Sequence, residues 1–305
     1  MKTLKFSALI LYCAFVLHAV TFAQDAPKPD IVNESYGQYE MNKFDMWKAK
    51  SDVPTPLVIY IHGGSFAHGD KAEKLSVSTI QNLVKAGISY MSINYRLTPE
   101  VSYPQHYFDC ARAIQYARYH AKELNIDPER IALTGGSAGG CTSLWLAFHD
   151  DLADLKSEDP VLRMSTRVTC AAVYSAQTTL EPTVIKEIIG DSALGNSMFN
   201  GKYIGSKKSE LNSDKIKELY KAASPVTYLS KDDPPIWASY SVPRTAPKSV
   251  TEGIHHPNFG IYLKEKMDKL GLQYTMVEKE GNSSSDEKNV VLFYMKHFKM
   301  TKAGK

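Results

Sequence analysis

Thr134-Gly135-Gly136-Ser137-Ala138-Gly139-Gly140 decides the reading of this 305-residue chain. The residues before it, Arg130-Ile131-Ala132-Leu133, form a short, branched apolar run of the kind that makes a buried strand. The residues after it, Cys141 to His149, read as a helix. Gly-x-Ser-x-Gly at a strand-to-helix junction is a sharp turn that lifts a serine hydroxyl above the edge of a sheet. Gly135 and Gly139 flank the serine because a Cβ at either place would collide with the neighbouring strand or helix. The positive end of the following helix favours negative charge developing at the serine.

A second stretch gives the first its chemistry. Leu57-Val58-Ile59-Tyr60-Ile61 is another buried-strand run, and it ends in His62-Gly63-Gly64-Ser65-Phe66. A His-Gly-Gly loop beside such a serine supplies backbone N–H groups to an oxyanion hole, and the residue after the serine supplies one more. Gly63, Gly64 and Ala138 occupy those positions.

With both motifs in this order, the chain resembles the esterase and lipase branch of the α/β-hydrolases, near the hormone-sensitive-lipase-like and feruloyl-esterase-like enzymes. The resemblance runs from about Tyr39 to Phe298. It includes Asn94-Tyr95-Arg96-Leu97 with Pro104 and Asp109, then Ser224-Pro225 and Asp233-Pro234-Pro235. It implies an α/β-hydrolase fold, a mostly parallel central sheet flanked by helices. It also implies a serine hydrolase acting on carboxylic esters.

Composition bounds the rest. Lys2 and Lys5, the apolar run Phe6 to Val20 and the small residues around Ala23 predict a signal peptide over 1–23. The apolar run is short for a membrane span and His18 interrupts it, so no stable span is expected. The expected location is secreted or periplasmic, with one α/β-hydrolase domain over 24–305. A net charge of +3 and the lack of basic runs with interleaved aromatics argue against nucleic acid. Cys110, Cys141 and Cys170 are odd in number, and Cys141 and Cys170 sit in apolar stretches as buried thiols do. No Cys/His cluster has metal-ligand spacing, no Gly-x-Gly-x-x-Gly appears and no P-loop lysine follows the glycines. No cofactor or metal is expected.

The chain in order suggests early strands at 36–39 and 43–47, a helix over 75–86 ending at the C-cap residue Gly87, and a strand over 88–95. A helix is expected from Pro104 to about Leu124, strands over 168–175, 235–240 and 272–277, and helices over 257–270 and 288–298. The stretch 177–222 has short helical pieces and no clear strand, and is expected to form a small cap over the site.

Ser137 needs a base, and the base an orienting carboxylate. In this fold the chain order is Ser, Asp or Glu, then His. The acid position, after the strand 235–240, has no Asp or Glu over 241–251, and the histidine position, over 280–286, has no histidine. His62 belongs to the oxyanion loop, His68 stands just beyond it, and His106, His120, His149 and His297 read as structural or surface residues. His255 and His256 remain, in the loop after 235–240, with Glu252 placed to orient either. The competing reading makes His255-His256-Pro257 a helix entry, since Pro257 suits a first helical turn. Lys248 or Lys279 is a further option for the base. Two functions stay open. One is an exported esterase for acetyl, feruloyl or other short acyl or aryl esters, small or polysaccharide-linked. The other is a catalytically impaired homologue that binds rather than hydrolyses.

Overall fold

The computed structural model of the chain describes residues 27–278 and 285–300. The expected signal peptide lies outside the described residues. These residues build an eight-stranded sheet from β1 (Ile31–Ser35), β2 (Lys43–Trp47), β3 (Thr55–Ile61), β4 (Ser89–Ile93), β5 (Ile126–Gly136), β6 (Cys170–Tyr174), β7 (Ile236–Tyr240) and β8 (Tyr274–Glu278). The strand order is β1-β2-β4-β3-β5-β6-β7-β8. β2 runs antiparallel to β1 and β4, and every pairing from β4 through β8 is parallel. The first early strand is Ile31–Ser35 rather than 36–39; Tyr36 instead enters the turn to β2, with its N–H donating to the Asn42 carbonyl.

Side chains alternate across each strand, and this sorts the core into two layers. Leu57, Ile59, Ile61, Ile131, Leu133, Ala171 and Val173 face α2 (Gln105–Tyr119), α4 (Ala138–Phe148) and α8 (Asn258–Leu270). Val58, Tyr60, Tyr90, Ala132, Ala172, Tyr174 and Trp237 face α1 (Val77–Lys85) and α9 (Ser285–His297). α1 presents fully buried Ile80 and Leu83 to that face, each contributing about 1.5–3 kcal/mol of hydrophobic stabilisation. The helix expected over 104–124 is broken at His120, after which the short α3 (Ala121–Leu124) ends in left-handed Asn125. The segment 177–222 holds α5 (Pro182–Ile188), three 3-10 turns and α6 (Asp214–Ala222).

The sheet positions the site through its connectivity. The chain steps from β3 outward to β4, then returns to lay β5 on the other side of β3. In an open parallel sheet the crevice at such a reversal, outside the carboxyl ends of the strands, is where ligands sit. Ile61 pairs with Gly135, so β3 and β5 end level and deliver the His62–Phe66 loop and Ser137 side by side.

Candidate active site

Ser137 stands between β5 and α4 with φ 54° and ψ −123°. A non-glycine residue held there is strained and persists because its surroundings enforce it. The Ser137 N–H donates to the Tyr174 carbonyl at 2.8 Å, tying the turn to β6. The two flanking glycines let β3, β5 and α4 meet closely. A Cβ on Gly139 would lie 2.0 Å from the Ile61 carbonyl oxygen, and one on Gly135 would lie 2.6 Å from the Gly139 backbone.

Gly63 packs against the turn, its would-be Cβ 3.4 Å from Ser137 Cβ. Gly64 has φ +115°, and a Cβ there would meet the His68 carbonyl at 1.9 Å. The N–H groups of Gly63 and Gly64 have no hydrogen-bond partner among the described residues. Ala138 is the first residue of α4, where N–H groups lack intrahelical acceptors. Three donors therefore stand beside the serine.

The loop that carries two of them is braced from below. His62 stacks on Tyr95 with ring centroids 4.4 Å apart, its Nδ1–H donates to the Gly63 carbonyl, and Tyr95 Oη donates to the His62 carbonyl at 2.9 Å. Burial pushes the His62 pKa down, so the ring is neutral. Lys71 donates from Nζ to Asp45 of β2 at 2.7 Å and from its N–H to Asn94 at 2.6 Å. Arg96 grips Asp109 with Nε and a terminal nitrogen. The Asn94-Tyr95-Arg96 stretch thus anchors the oxyanion loop and its surroundings to the sheet.

The two adjacent histidines are positioned by a short helix that went unforeseen, α7 (Val250–Ile254). Ser249-Val250-Thr251-Glu252 has the spacing of a helix cap, and Ser249 Oγ accepts from the Glu252 N–H at 3.1 Å. This helix ends at His255, whose Nε2 lies 2.9 Å from Ser137 Oγ. Burial pushes its pKa down, and the nearby Thr251 backbone carbonyl, which favours the charged ring, offsets only part of that.

His256 points elsewhere. Its Nε2–H donates to the Thr245 carbonyl at 3.1 Å and its Nδ1 accepts from the Asn258 N–H at 3.1 Å. It caps the entry to α8, so of the two adjacent histidines only His255 meets Ser137. Glu252 does not orient either ring: its carboxylate accepts from the Lys248 N–H at 2.6 Å and caps α7. Among the described residues no carboxylate hydrogen-bonds His255; the Thr251 carbonyl near its ring favours the charged form, and being main chain it has no side-chain signature in the sequence.

A cavity of about 1200 Å³ opens at Ser137 and is lined by His62, Gly63, Gly64, His68, Gly136 and His255, among others. None of its described lining residues belongs to 177–222, so that segment braces the site rather than roofing it. Tyr203 stacks on Phe66 of the oxyanion loop at 4.5 Å. The 3-10 turn Asp191–Gly195 packs on α7, where a Cβ on Gly253 would lie 2.6 Å from the Ala193 nitrogen. Among the described residues no group of three or more His, Cys, Asp or Glu side chains could hold a metal.

Comparison with known proteins places this geometry. The BD-FAE family model matches residues 45–240. The chain is 28% identical over 217 residues to the probable carboxylic ester hydrolase LipM of Mycobacterium tuberculosis, covering 67% of this chain and 45% of that protein. It is 35% identical over 108 residues to an arylesterase of Saccharolobus solfataricus, covering 35% of each. The chain thus spans less than half the length of these relatives. Its fold matches a truncated carbohydrate esterase from gut microbiota, with TM-score 0.68 and 21% identity over 88% of this chain and 96% of that one. It also matches an acetyl ester-xyloside bifunctional hydrolase of Caldicellulosiruptor lactoaceticus, with TM-score 0.66 and 22% identity over 85% and 89%. The eight-stranded, mostly parallel sheet with its flanking helices is that of an α/β-hydrolase, and the chain belongs to the BD-FAE family.

Proposed function

We propose that the protein is an exported carboxylic ester hydrolase working through a Ser137–His255 dyad. The observation that carries this reading is the 2.9 Å contact between His255 Nε2 and Ser137 Oγ, beside an oxyanion loop with free N–H groups. With the imidazole neutral and its proton on the far nitrogen, Nε2 presents its lone pair to the serine, and the Thr251 carbonyl near the ring favours the charged form that follows. Ser137 Oγ attacks the ester carbonyl carbon as its proton passes to His255. The N–H groups of Gly63, Gly64 and Ala138 hold the oxyanion. The C–O bond to the alcohol breaks, and the alcohol oxygen takes the proton from His255. Water, deprotonated by the same ring, then releases the acid and restores the serine.

The relatives' names support ester substrates, and the two structural neighbours point toward esters borne on carbohydrate. Export rests on the sequence of residues 1–23; among the described residues no helix is long and apolar enough to cross a membrane. The test is hydrolysis of short acyl and aryl esters together with covalent capture of Ser137 by a fluorophosphonate. Both should vanish in Ser137→Ala. The missing carboxylate at His255 favours a second reading, a homologue that binds esters without turning them over. Absence of both turnover and capture in the native protein would select it.

A further inference from the structure

The helix that carries His255 has few polar ties to the rest of the fold. α7 is five residues long, too short to persist without outside support, and its final carbonyls have no intrahelical partner. Among the described residues one hydrogen bond joins Val250–Ile254 to an element outside 248–258: Gln177 Nε2 donates to the Ile254 carbonyl at 2.6 Å. The peptide unit is planar, so that carbonyl shares a plane with the nitrogen and Cα of His255. Fixing the carbonyl therefore fixes the direction from which the imidazole leaves the chain.

Gln177 stands three residues beyond the end of β6 and is fully buried. Its Nε2 also faces the Ser175 carbonyl at 3.3 Å. Both neighbours are acceptors, which fixes the amide's orientation, with the NH2 group toward them and Oε1 away. Oε1 is buried with no partner among the described residues. An unpaired buried oxygen is destabilising, so Gln177 carries a local cost that the donated bonds offset. The same backbone holds the serine: Tyr174, beside Ser175, accepts the Ser137 N–H at 2.8 Å. The contacts close a ring from Ser137 to Tyr174 and Ser175, through Gln177 to Ile254 and His255, and back to Ser137 Oγ. Gln177 is not among the described residues that line the cavity.

We infer that Gln177 is the positioning residue of the dyad: its amide sets the Ile254 peptide and through it holds His255 Nε2 on Ser137. This rests on the ester-hydrolase reading. With no carboxylate on His255, the aim of the ring depends on its backbone, and Gln177 fixes that backbone.

Gln177→Met keeps the shape and removes the donor. With 4-nitrophenyl acetate it should lower kcat by about 10- to 100-fold, the cost of misplacing a catalytic group by about 1 Å, and leave KM within about threefold. In a His255→Ala background the same substitution should change kcat less than about twofold, because no imidazole is left to aim. A purely structural residue would cost the same in both backgrounds. Gln177→Glu is the second variant, and it decides the matter alone if Gln177→Met does not fold. A neutral carboxyl can donate to the Ile254 carbonyl and a carboxylate cannot. Burial raises the pKa of the new carboxyl, so kcat should fall again as pH rises past it, where the native rate stays level; melting temperatures are followed at each pH. Native kcat in Gln177→Met, an equal loss in both backgrounds, or a Gln177→Glu profile parallel to the native one overturns the inference. Imidazole NMR separates it from the hydrolase reading. The native His255 ring should titrate below 6.5, and Gln177→Met should return it toward 6.5. If the native protein shows neither turnover nor fluorophosphonate capture yet the ring responds, the hydrolase reading fails and the positioning role stands. If esters are hydrolysed and neither kcat nor the ring responds, Gln177 fails and the hydrolase stands.

Discussion

Removing His255 distinguishes a working dyad from a serine that merely resembles a nucleophile. In a complete triad, loss of the serine or the histidine costs about 10⁶-fold in kcat, and loss of the acid alone costs about 10⁴-fold. His255 has no carboxylate, so the dyad begins near the acid-less level, and the histidine has about 10²-fold left to lose. The nearby Thr251 carbonyl favours the charged ring, which restores part of the acid's contribution. His255→Ala should therefore lower kcat by roughly 10²–10⁴-fold, about 3–5 kcal/mol at 1.36 kcal/mol per decade. The assay is initial-rate hydrolysis of 4-nitrophenyl acetate beside His256→Ala and Glu252→Gln. Both of these cap helices and should leave kcat within a few-fold. Because the base must be neutral and burial lowers its pKa, the acid limb of kcat/KM should fall below the ordinary imidazole value of 6.5. If His255→Ala changes kcat less than threefold while Ser137→Ala abolishes turnover, the dyad is wrong.

Three further outcomes follow from the supports of the site. Gly139→Ala drives a Cβ to 2.0 Å from the Ile61 carbonyl; it should cost at least about 3 kcal/mol, and a native-like melting temperature would refute the close strand–helix approach. Asp45→Asn strands the Lys71 ammonium, the pair being 7% and 6% exposed at their side chains; denaturant unfolding should show a loss of about 3–5 kcal/mol, and a loss under 1 kcal/mol would contradict it. His106 is buried and pushed down to about 4 from 6.5. Between those values the unfolded chain binds more protons than the native one, so stability should fall by about 3 kcal/mol as pH drops from about 6.5 to about 4. His106→Gln should remove that slope, as measured by unfolding across the same range.

What the sequence determined by itself was local. Gly135-Gly136-Ser137-Ala138-Gly139 and His62-Gly63-Gly64 are contiguous, and each encodes its turn within a few residues, because the steric demand falls on neighbouring atoms. Short continuous runs of branched apolar residues marked the buried strands for the same reason. Boundaries were looser where pairing rather than propensity ended an element, as at Ile31–Ser35. The tertiary structure decided the rest. Two adjacent histidines look alike in sequence, but the short α7 turns His255 toward Ser137 and His256 toward Thr245. The group that favours a charged His255 ring is a carbonyl that every residue carries, so no residue type could announce it. Tyr60, Tyr90 and Tyr174 line one cavity from β3, β4 and β6, strands that share a sheet face only after the chain has doubled back around β3. Chemistry built from contacts within one turn is written in residue order. Chemistry built across strands depends on which strands pair, and that is settled by burying the whole sheet at once.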